Sequence, residues 1–530
     1  MDWSQEKCLL MIEAYRNCRC LWDPTFEHYK NTTRKQDAWR EIAKLIECNV
    51  EEAKKKMDSL LASYRRERQK TMATKSGSGA DCTYNSKWFA FKSMHFLMNI
   101  NRGKHLISIL TKIKTCNNLL NPFQSGFRPG HSTTTALVHI TDDIRAAMEN
   151  GKLTVLALLD FSNAFNTVDH DILLQTLCSI NISPKAIDWF RISYLMGRRQ
   201  RICVDDVLSS WRNTSAGVPQ GGVLSPLLFA LFINKISNQL ISSYHLYADD
   251  LQIYYQAPID RLAEAITAVN KDLACISEWS RNHGLVVNPT KSQVIVVGSS
   301  RMVSKIDATL PHILFNGCVI PFSDKVKNLG VILDRNLSWG PQLQEISRKL
   351  FAAVGSLRRL RNFLPIPTKI ALVQSLLVPL LDYADASYLD LTEAQFEKLE
   401  RLQNLCIKFI FGLRKYDHIS EFRAKLKWLS IRSRRNTRIL SLLYCILFHP
   451  TAPHYLKKRF NFLCNTHERY LRSSENLVLE IPKHGTSFLS RSFTIHAARL
   501  WNDLPVTIRE AKSLFIFKKL IKEHFLSLTI

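Results

Sequence analysis

Three aspartates stand where apolar, strand-length segments of this chain end. Asp160 directly follows the run Leu153–Leu159, and the adjacent Asp249 and Asp250 separate the apolar runs 244–248 and 251–255. The second pattern predicts a hairpin with two carboxylates at its turn. Carboxylates packed this closely repel one another unless a cation neutralises them, and Mg²⁺ prefers oxygen ligands. Together the three residues predict a two-metal site suited to phosphoryl transfer, whereas an Asp-Asp pair taken alone is more often merely part of a turn.

The surrounding segments occur in a characteristic order. They are 160–169 (DFSNAFNTVD), 216–226 (AGVPQGGVLSP) and 247–250 (YADD), preceded by 124–133 (QSGFRPGHST) and followed by 284–291 (GLVVNPTK) and 328–333 (NLGVIL). This ordered set resembles the reverse transcriptase of non-long-terminal-repeat (LINE-like, jockey-like) retrotransposons. The resemblance implies an RNA-directed DNA polymerase that extends a DNA primer on an RNA template with deoxynucleoside triphosphates.

The resemblance also implies a role for each acidic residue. Asp160 and Asp249 would hold two Mg²⁺ ions, with Mn²⁺ as an alternative, together with the carbonyl oxygen of Phe161. Asp250 would complete the acidic cluster. Lys291 would donate a proton to the departing pyrophosphate, although a solvated lysine at the end of a loop explains it equally well.

Four further residues would contact the nucleotide in the same family. The ring of Phe165 would act as a steric gate that rejects ribonucleotides. Gln220 and Gly221 would lie in a loop that packs against the incoming base, where glycine permits close backbone approach. Arg128 would contact the triphosphate.

Several departures from the family pattern leave a second hypothesis open. Asn163, Asn166, Gly222 and Ser225 replace the residues usual at those positions, and the fingers segment ahead of residue 124 is short. No segment resembles the endonuclease that such elements carry, so we expect no autonomous transposition. The alternative to an active enzyme is a catalytically inactive, retroelement-derived DNA-binding or regulatory protein.

The N-terminal segment has helical periodicity over 5–15, 36–46 and 50–70. Its aromatic motifs, 21–24 (LWDP), 38–43 (AWREIA) and 87–91 (KWFAF), resemble a MADF domain, a Myb/SANT-like module. That resemblance implies binding of double-stranded DNA, with a protein-interaction role for the same fold as the alternative. The third helix would present basic side chains to phosphates, or simply to solvent, and the candidates are Lys54, Lys55, Arg65 and Arg66.

The basic excess lies mainly at the C-terminal end. Residues 341–530 contain 31 Lys and Arg against 15 Asp and Glu, and helical patterns there alternate with basic clusters. We predict nucleic-acid contacts for Arg434 and Arg435. Four aromatic residues of this region could stack on bases but are more often core residues: Trp428, Tyr444, Phe460 and Trp501.

Length and composition set the frame for these assignments. The 530 residues, with a net charge of +26 and 46% hydrophobic content, exclude a single small module and a wholly disordered chain. The predicted class is α+β: a three-helix MADF/SANT-like bundle, a right-hand polymerase palm with partial fingers, and a mainly helical thumb. The predicted domains are 1–98 (MADF-like), 99–120 (junction), 121–340 (partial fingers and palm) and 341–530 (thumb and C-terminal region).

The location of the protein follows from what the sequence lacks. No signal-peptide pattern opens the chain, and no apolar run reaches the roughly 18–20 residues of a membrane span. The 13 cysteines include no CxxC pair, so reduced thiols are expected rather than structural zinc. We expect a nuclear protein, with a cytoplasmic location as the alternative, and no membrane partner.

Overall fold

The computed structural model describes residues 3–23, 29, 31–72, 86, 88–97, 119–306, 310–465 and 477–528. Nearly all of the predicted junction, 99–120, lies outside these ranges. The chain divides into two compact units, Met1–Lys112 and Ile113–Ile530, and has a mixed α/β composition.

The first unit is helical. Its helices are Gln5–Asn17, Arg19–Trp22, Thr32–Ile46 and Val50–Met72, followed by a 3-10 turn at His95–Leu97.

Local sequence explains the ends of these helices. Ser4 and Asn31 cap the first and third by accepting hydrogen bonds from the amides of Lys7 and Arg34. The apolar faces meet in a core in which Met57 is only 1% exposed. Methionine is flexible enough to fill that position, where MADF domains usually carry tryptophan.

A four-stranded antiparallel sheet forms the centre of the second unit. The strand order is Ser243–Tyr247, Asp250–Ala257, Leu153–Leu159, Gln293–Val297. The strand Leu153–Leu159 has neighbours on both sides and is buried along almost its whole length. A run of six apolar residues and one threonine suits this position, because side chains on both faces of an inner strand leave water.

Helices cover the sheet and continue to the C-terminus. The α-helices of the second unit are Thr133–Glu149, His170–Ser179, Pro184–Trp189, Ser225–Ile233, Leu262–Asn282, Ser300–Val303, Gly340–Arg358, Ile366–Leu372, Val378–Asp382, Glu393–Phe411, Ser420–Leu426, Ile431–Phe448, His454–Lys457, Ser487–Ser490, Phe493–Asn502, Val506–Arg509 and Leu514–Ser527. Two segments are π-helical, Phe190–Leu195 and Val373–Leu377. The remaining 3-10 turns are Ile259–Arg261, Asp385–Ser387 and Leu463–Asn465.

Short two-stranded ribbons complete the unit. Their strands pair as Arg199–Gln200 with Arg212–Asn213, Cys203–Val204 with Val207–Leu208, Ile313–Phe315 with Cys318–Ile320, and Lys325–Asn328 with Val331–Asp334.

One hydrophobic core joins the sheet to the first C-terminal helices. It contains Leu156 and Ile295 from the central strands as well as Leu350, Leu402 and Ile410 from helices beyond residue 340. Burial of apolar surface therefore ties the predicted palm segment to the start of the predicted C-terminal region.

A second connection is polar. The Ser125 hydroxyl lies 2.9 Å from His245 Nε2 and 2.9 Å from the Tyr455 hydroxyl. Arg459 donates to the Asp143 carboxylate at 2.6 Å. These contacts attach the segment around residue 455 to the segment that precedes the central sheet.

One helical run, Ile366–Ser387, is long and apolar enough by composition to cross a membrane. Of its most apolar stretch, 44% is buried inside the protein, and Val373, Leu377 and Leu381 belong to the main hydrophobic core. The core helix of a folded domain has the same properties, so the expected absence of a membrane partner stays a prediction.

Candidate active site

Asp160 emerges from the end of the strand Leu153–Leu159, and its backbone is held on both sides. Its carbonyl oxygen accepts the Asn288 amide at 2.8 Å, and its own amide donates to the Ser292 hydroxyl at 3.4 Å. The carboxylate is less constrained, because the side chain is 41% exposed. The segment 284–291 thus crosses the end of the strand and directs this carboxylate to the surface.

Lys291 lies beside this carboxylate. Its Nζ is 3.8 Å from Asp160 Oδ2, and its side chain is 67% exposed. An ion pair this open to solvent contributes little to stability. The structure therefore places the lysine within reach of the acidic residues and leaves it free to move.

Asp249 lies in the turn of the predicted hairpin, and Asp250 begins its second strand. Tyr247 pairs with Asp250, so Ala248 and Asp249 form a two-residue turn. Ala248 has φ +59°, a left-handed conformation that is uncommon for a residue with a Cβ. Neighbouring contacts must therefore stabilise the turn.

Gln124 provides those contacts, a role that sequence reasoning missed. Its side-chain oxygen accepts the amides of Ala248 at 3.3 Å and Gly126 at 2.9 Å, and the residue is fully buried. A Cβ on Gly126 would lie 2.2 Å from the Ala248 nitrogen. The Gln-Ser-Gly sequence was the available signal, since a glycine beside a buried amide often marks close backbone approach.

The carboxyl groups of Asp249 and Asp250 have raised pKa values. Burial and then the charge of Asp160 raise the pKa of Asp249. Asp250 reaches solvent at its outer edge, yet burial of its inner side and then the charges of Asp249 and Asp160 raise its pKa to about 6. Asp160, from a distant segment, is therefore close enough to disfavour the ionisation of both.

The donor set fits a hard divalent cation. Asp160, Asp249 and Asp250 offer carboxylate oxygens, and a bound cation would relieve the repulsion among them. Two backbone hydrogen bonds flank Phe161: the Asn288 amide donates to the Asp160 carbonyl, and the Ser162 amide donates to the Val286 carbonyl. Neither uses the carbonyl of Phe161. Among the residues that the structure describes, no group of three or more His, Cys, Asp or Glu side chains is already arranged to hold a metal ion.

Phe165 forms an aromatic floor close to the same strand end. Its ring stacks on Phe229 with centroids 4.4 Å apart and meets the edge of Phe127 at 6.0 Å. Phe229 is fully buried in the helix Ser225–Ile233. The rigid partner fixes one face of Phe165, which is itself only half-buried.

The loop that contains Gln220 and Gly221 packs against the turn after Phe161. The Val218 amide donates to the Phe165 carbonyl at 2.8 Å. Gly217 has φ +87°, and a Cβ there would lie 2.6 Å from the Asn166 carbonyl oxygen. Glycine is therefore required at Gly217, whereas Gly221 has open space around it.

Two of the departures from the family pattern participate in this loop. Gln220 Nε2 donates to Asn166 Oδ1 at 3.1 Å. The buried Ser225 hydroxyl donates to the Pro219 carbonyl and lies 2.9 Å from the Tyr194 hydroxyl. These residues hold the loop in place, so the substitutions leave its architecture intact.

Arg128 contacts the backbone of its own segment. Its Nη1 donates to the Asn121 carbonyl at 3.1 Å, and burial lowers the pKa of the guanidinium. Contact between Arg128 and a triphosphate stays a prediction.

The N-terminal candidates lie on the helix Val50–Met72. Lys55, Arg65 and Arg66 are exposed, while Lys54 pairs with Glu51 at 3.2 Å. This surface is accessible to a phosphate backbone, and DNA contact by these four residues stays a prediction.

The structure corrects the assignment of Arg434 and Arg435. Arg434 donates two hydrogen bonds to Asp382, at 2.7 and 2.5 Å. Arg435 is 4% exposed, donates to the carbonyls of Asp385 and Tyr388, and lies over the Tyr388 ring at 4.5 Å. Both guanidiniums are used inside the protein, so the prediction that they bind nucleic acid was wrong.

The four C-terminal aromatics belong to the core. All are at most 9% exposed, as expected for core residues: Trp428, Tyr444, Phe460 and Trp501.

Residues 93–333 match the family model of reverse transcriptase (RNA-dependent DNA polymerase). The chain contains a reverse transcriptase domain. This domain includes every predicted catalytic and nucleotide-binding residue. Residues 11–97 match the MADF model, described as alcohol dehydrogenase transcription factor Myb/SANT-like.

Two curated relatives of the reverse transcriptase domain come from mobile elements. The chain is 26% identical over 333 residues to the probable RNA-directed DNA polymerase from transposon X-element of Drosophila melanogaster, covering 61% of this chain and 36% of that protein. It is 28% identical over 337 residues to the RNA-directed DNA polymerase from mobile element jockey of Drosophila funebris, covering 60% and 35%. The chain thus spans about a third of the length of these relatives.

Among solved structures, apo telomerase from Candida tropicalis aligns with 47% of this chain and 48% of that chain. The identity is 11% and the TM-score 0.29, a superposition too loose to inform fold or function.

Proposed function

We propose that this chain is an RNA-directed DNA polymerase of non-long-terminal-repeat retrotransposon origin. It would extend a primer 3′-hydroxyl on an RNA template, consume deoxynucleoside triphosphates and release pyrophosphate. One observation carries the proposal: within a reverse transcriptase domain, Asp160 lies close enough to the pair Asp249–Asp250 for its charge to contribute to their raised pKa values.

In this proposal the central sheet is the polymerase palm. Residues 121–340 comprise the palm with partial fingers, and residues 341–530 the thumb and C-terminal region. The helices of residues 1–98 form a MADF-like bundle, connected through 99–120, that binds double-stranded DNA. Such a protein would act in the nucleus.

The acidic residues would hold two Mg²⁺ ions, or Mn²⁺ in their place. Asp160, Asp249 and the Phe161 carbonyl would supply the ligands, and Asp250 would complete the cluster. When bound, such ions neutralise charge on the triphosphate and increase the acidity of the primer hydroxyl. The chain's own contribution is to hold these oxygens at a fixed strand end and a braced turn.

Other side chains would position the nucleotide. The ring of Phe165, supported by Phe229, would exclude a ribose 2′-hydroxyl. The loop of Gln220 and Gly221 would pack against the base pair, and Arg128 would approach the triphosphate. Lys291 would donate a proton to the departing pyrophosphate.

Primer extension on a homopolymer RNA template with Mg²⁺ tests this proposal. The wild-type chain should incorporate deoxynucleotides, and Asp249→Ala should not. Incorporation by the wild type that does not exceed that of the variant would reject the enzyme.

The alternative is a catalytically inactive, retroelement-derived DNA-binding or regulatory protein. One observation favours it: the MADF match at residues 11–97. DNA binding without incorporation in the same preparation would support this alternative.

A further inference from the structure

A β-ribbon projects from the second unit next to the loop of Gln220. Its strands pair through Gln200 with Arg212 and through Val204 with Val207. Every residue from 199 to 213 is exposed. A ribbon that buries none of its side chains contributes little to folding, and its sequence is available for contacts with a partner.

The ribbon is basic on both faces. Arg199 and Arg212 lie on opposite faces, because Arg212 pairs with Gln200, the residue that follows Arg199 in the strand. Arg198 and Arg201 flank the strand Arg199–Gln200, and within the described chain none of the four arginines forms an ion pair with a carboxylate. The acidic residues Asp205 and Asp206 lie at the far turn. Unpaired arginines at this density attract a polyanion.

An exposed aromatic side chain stands among these arginines. Trp211 is 56% exposed, and the Arg201 guanidinium lies 4.5 Å from the centroid of its ring. An indole beside a guanidinium is a platform on which an unpaired base stacks, whereas a base inside a duplex has both faces covered. The combination favours a single strand over a duplex.

The base of the ribbon leads directly into the candidate active site. The amide and hydroxyl of Thr214 donate to the Arg198 carbonyl at 2.9 and 3.0 Å, which closes the ribbon. The chain then enters the loop in which the Val218 amide donates to the Phe165 carbonyl. Gln220 is the sixth residue after Thr214, and the chain between them spans at most about 20 Å.

We propose that this ribbon binds the unpaired RNA template beside the active site. A template base stacks on Trp211, and template phosphates pair with Arg199, Arg201 and Arg212. The inference rests on the proposed function for the identity of the strand as an RNA template.

Fluorescence anisotropy with the full chain and a labelled 20-nucleotide poly(U) RNA tests the ribbon. Trp211→Ala should weaken binding about tenfold. Replacing Arg199, Arg201 and Arg212 together by Gln should reduce the slope of log K against log salt concentration by about 2. With a blunt RNA–DNA duplex, Trp211→Ala should bind like the wild type, because the bases of a duplex are already stacked.

The control changes the two valines that flank the far turn of the same ribbon. Val204→Ser with Val207→Ser should leave RNA affinity unchanged. Wild-type affinity and salt slope in both the Trp211 and the arginine variants would overturn the proposal. If the wild type self-associates in sedimentation and only the Val204/Val207 variant does not, the ribbon is a protein-docking element and the proposal is also wrong.

Asp249→Asn separates this inference from the proposed function. The variant should bind poly(U) like the wild type although it does not incorporate nucleotides. If the wild type binds RNA through the ribbon but incorporates no nucleotides, the polymerase proposal alone is rejected. If the Trp211 and arginine variants incorporate nucleotides and bind RNA as the wild type does, the ribbon proposal alone is rejected.

Discussion

The acidic turn and the arginine cluster of the C-terminal region are both dense in charge, but they handle it in opposite ways. At the turn, Asp249 and Asp250 face Asp160, and the cation closest to Asp160 is an exposed lysine 3.8 Å away. In the cluster, Arg434 binds Asp382 with two hydrogen bonds and Arg438 binds Asp385 at 2.8 Å. Uncompensated like charge indicates a binding site, whereas compensated charge indicates structure.

The difference predicts that Asp249→Asn separates activity from stability. Incorporation should fall about 1,000-fold, or about 4 kcal/mol, because a metal ligand is lost. The thermal midpoint should stay unchanged or rise, because one repelling charge is removed. Primer extension and thermal unfolding measure the two effects.

The matched variant in the arginine cluster is Asp382→Asn, which should retain incorporation and lower the midpoint. A lower midpoint for Asp249→Asn would show that the acidic turn is structural and would break the comparison.

Asp382→Ala should destabilise the second unit by about 3 kcal/mol, since Arg434 loses its carboxylate and Arg438, 3.6 Å from Asp382, keeps only that of Asp385. The side chain of Asp382 is only 13% exposed, so water replaces it poorly. Denaturant unfolding measures the change. Combining Asp382→Leu with Arg434→Met should restore most of the stability, because neither charge is then left alone; an additive loss would contradict this account.

Phe165→Val tests whether the aromatic floor beside the acidic turn selects the sugar. Removing the ring should increase the use of ribonucleotides relative to deoxynucleotides by about 10- to 100-fold. The ratio of kcat/KM for the two substrates measures it. Phe127→Leu, which changes only the edge contact at 6.0 Å, is the control and should leave the ratio nearly constant.

Acid should loosen the attachment between the C-terminal region and the sheet. Burial and then the charge of Arg459 lower the pKa of His139 to about 3, and burial lowers that of His245 well below its usual value. The unfolded chain therefore binds more protons below pH 6.5, so this stability is complete above pH 6.5 and is lost as pH falls towards 3.

The cost between pH 7.5 and 5.5 is about 1.4 kcal/mol for each histidine. Urea unfolding at the two pH values measures this loss of stability. His139→Gln should reduce the loss by the contribution of one histidine. An unchanged pH dependence in that variant would show that His139 titrates alike in both states.

Part of this architecture was predictable from sequence. The strand Leu153–Leu159 and the hairpin that carries Asp249 were predicted because continuous apolar runs and a polar turn are local signals. The helix Val50–Met72 extends the segment predicted over 50–70 by two residues.

The rest depended on partners distant in the chain. Arg434 resembled a nucleic-acid contact because its partner Asp382 lies 52 residues away, and no local pattern shows such a pair. The support that Gln124 gives to Ala248 spans 124 residues. Charge density in a sequence reveals where ions are, but only the fold shows which are already paired.

The hydrogen bond between Ser125 and Tyr455 sets an order of events during synthesis. These residues are 330 positions apart, which at about 5–20 residues per second is a delay on the order of 20–60 s on the ribosome. Until the later segment emerges, the pocket around His245 is uncovered in the nascent chain. The segment from Tyr455 onward therefore completes a domain whose candidate catalytic residues are translated much earlier.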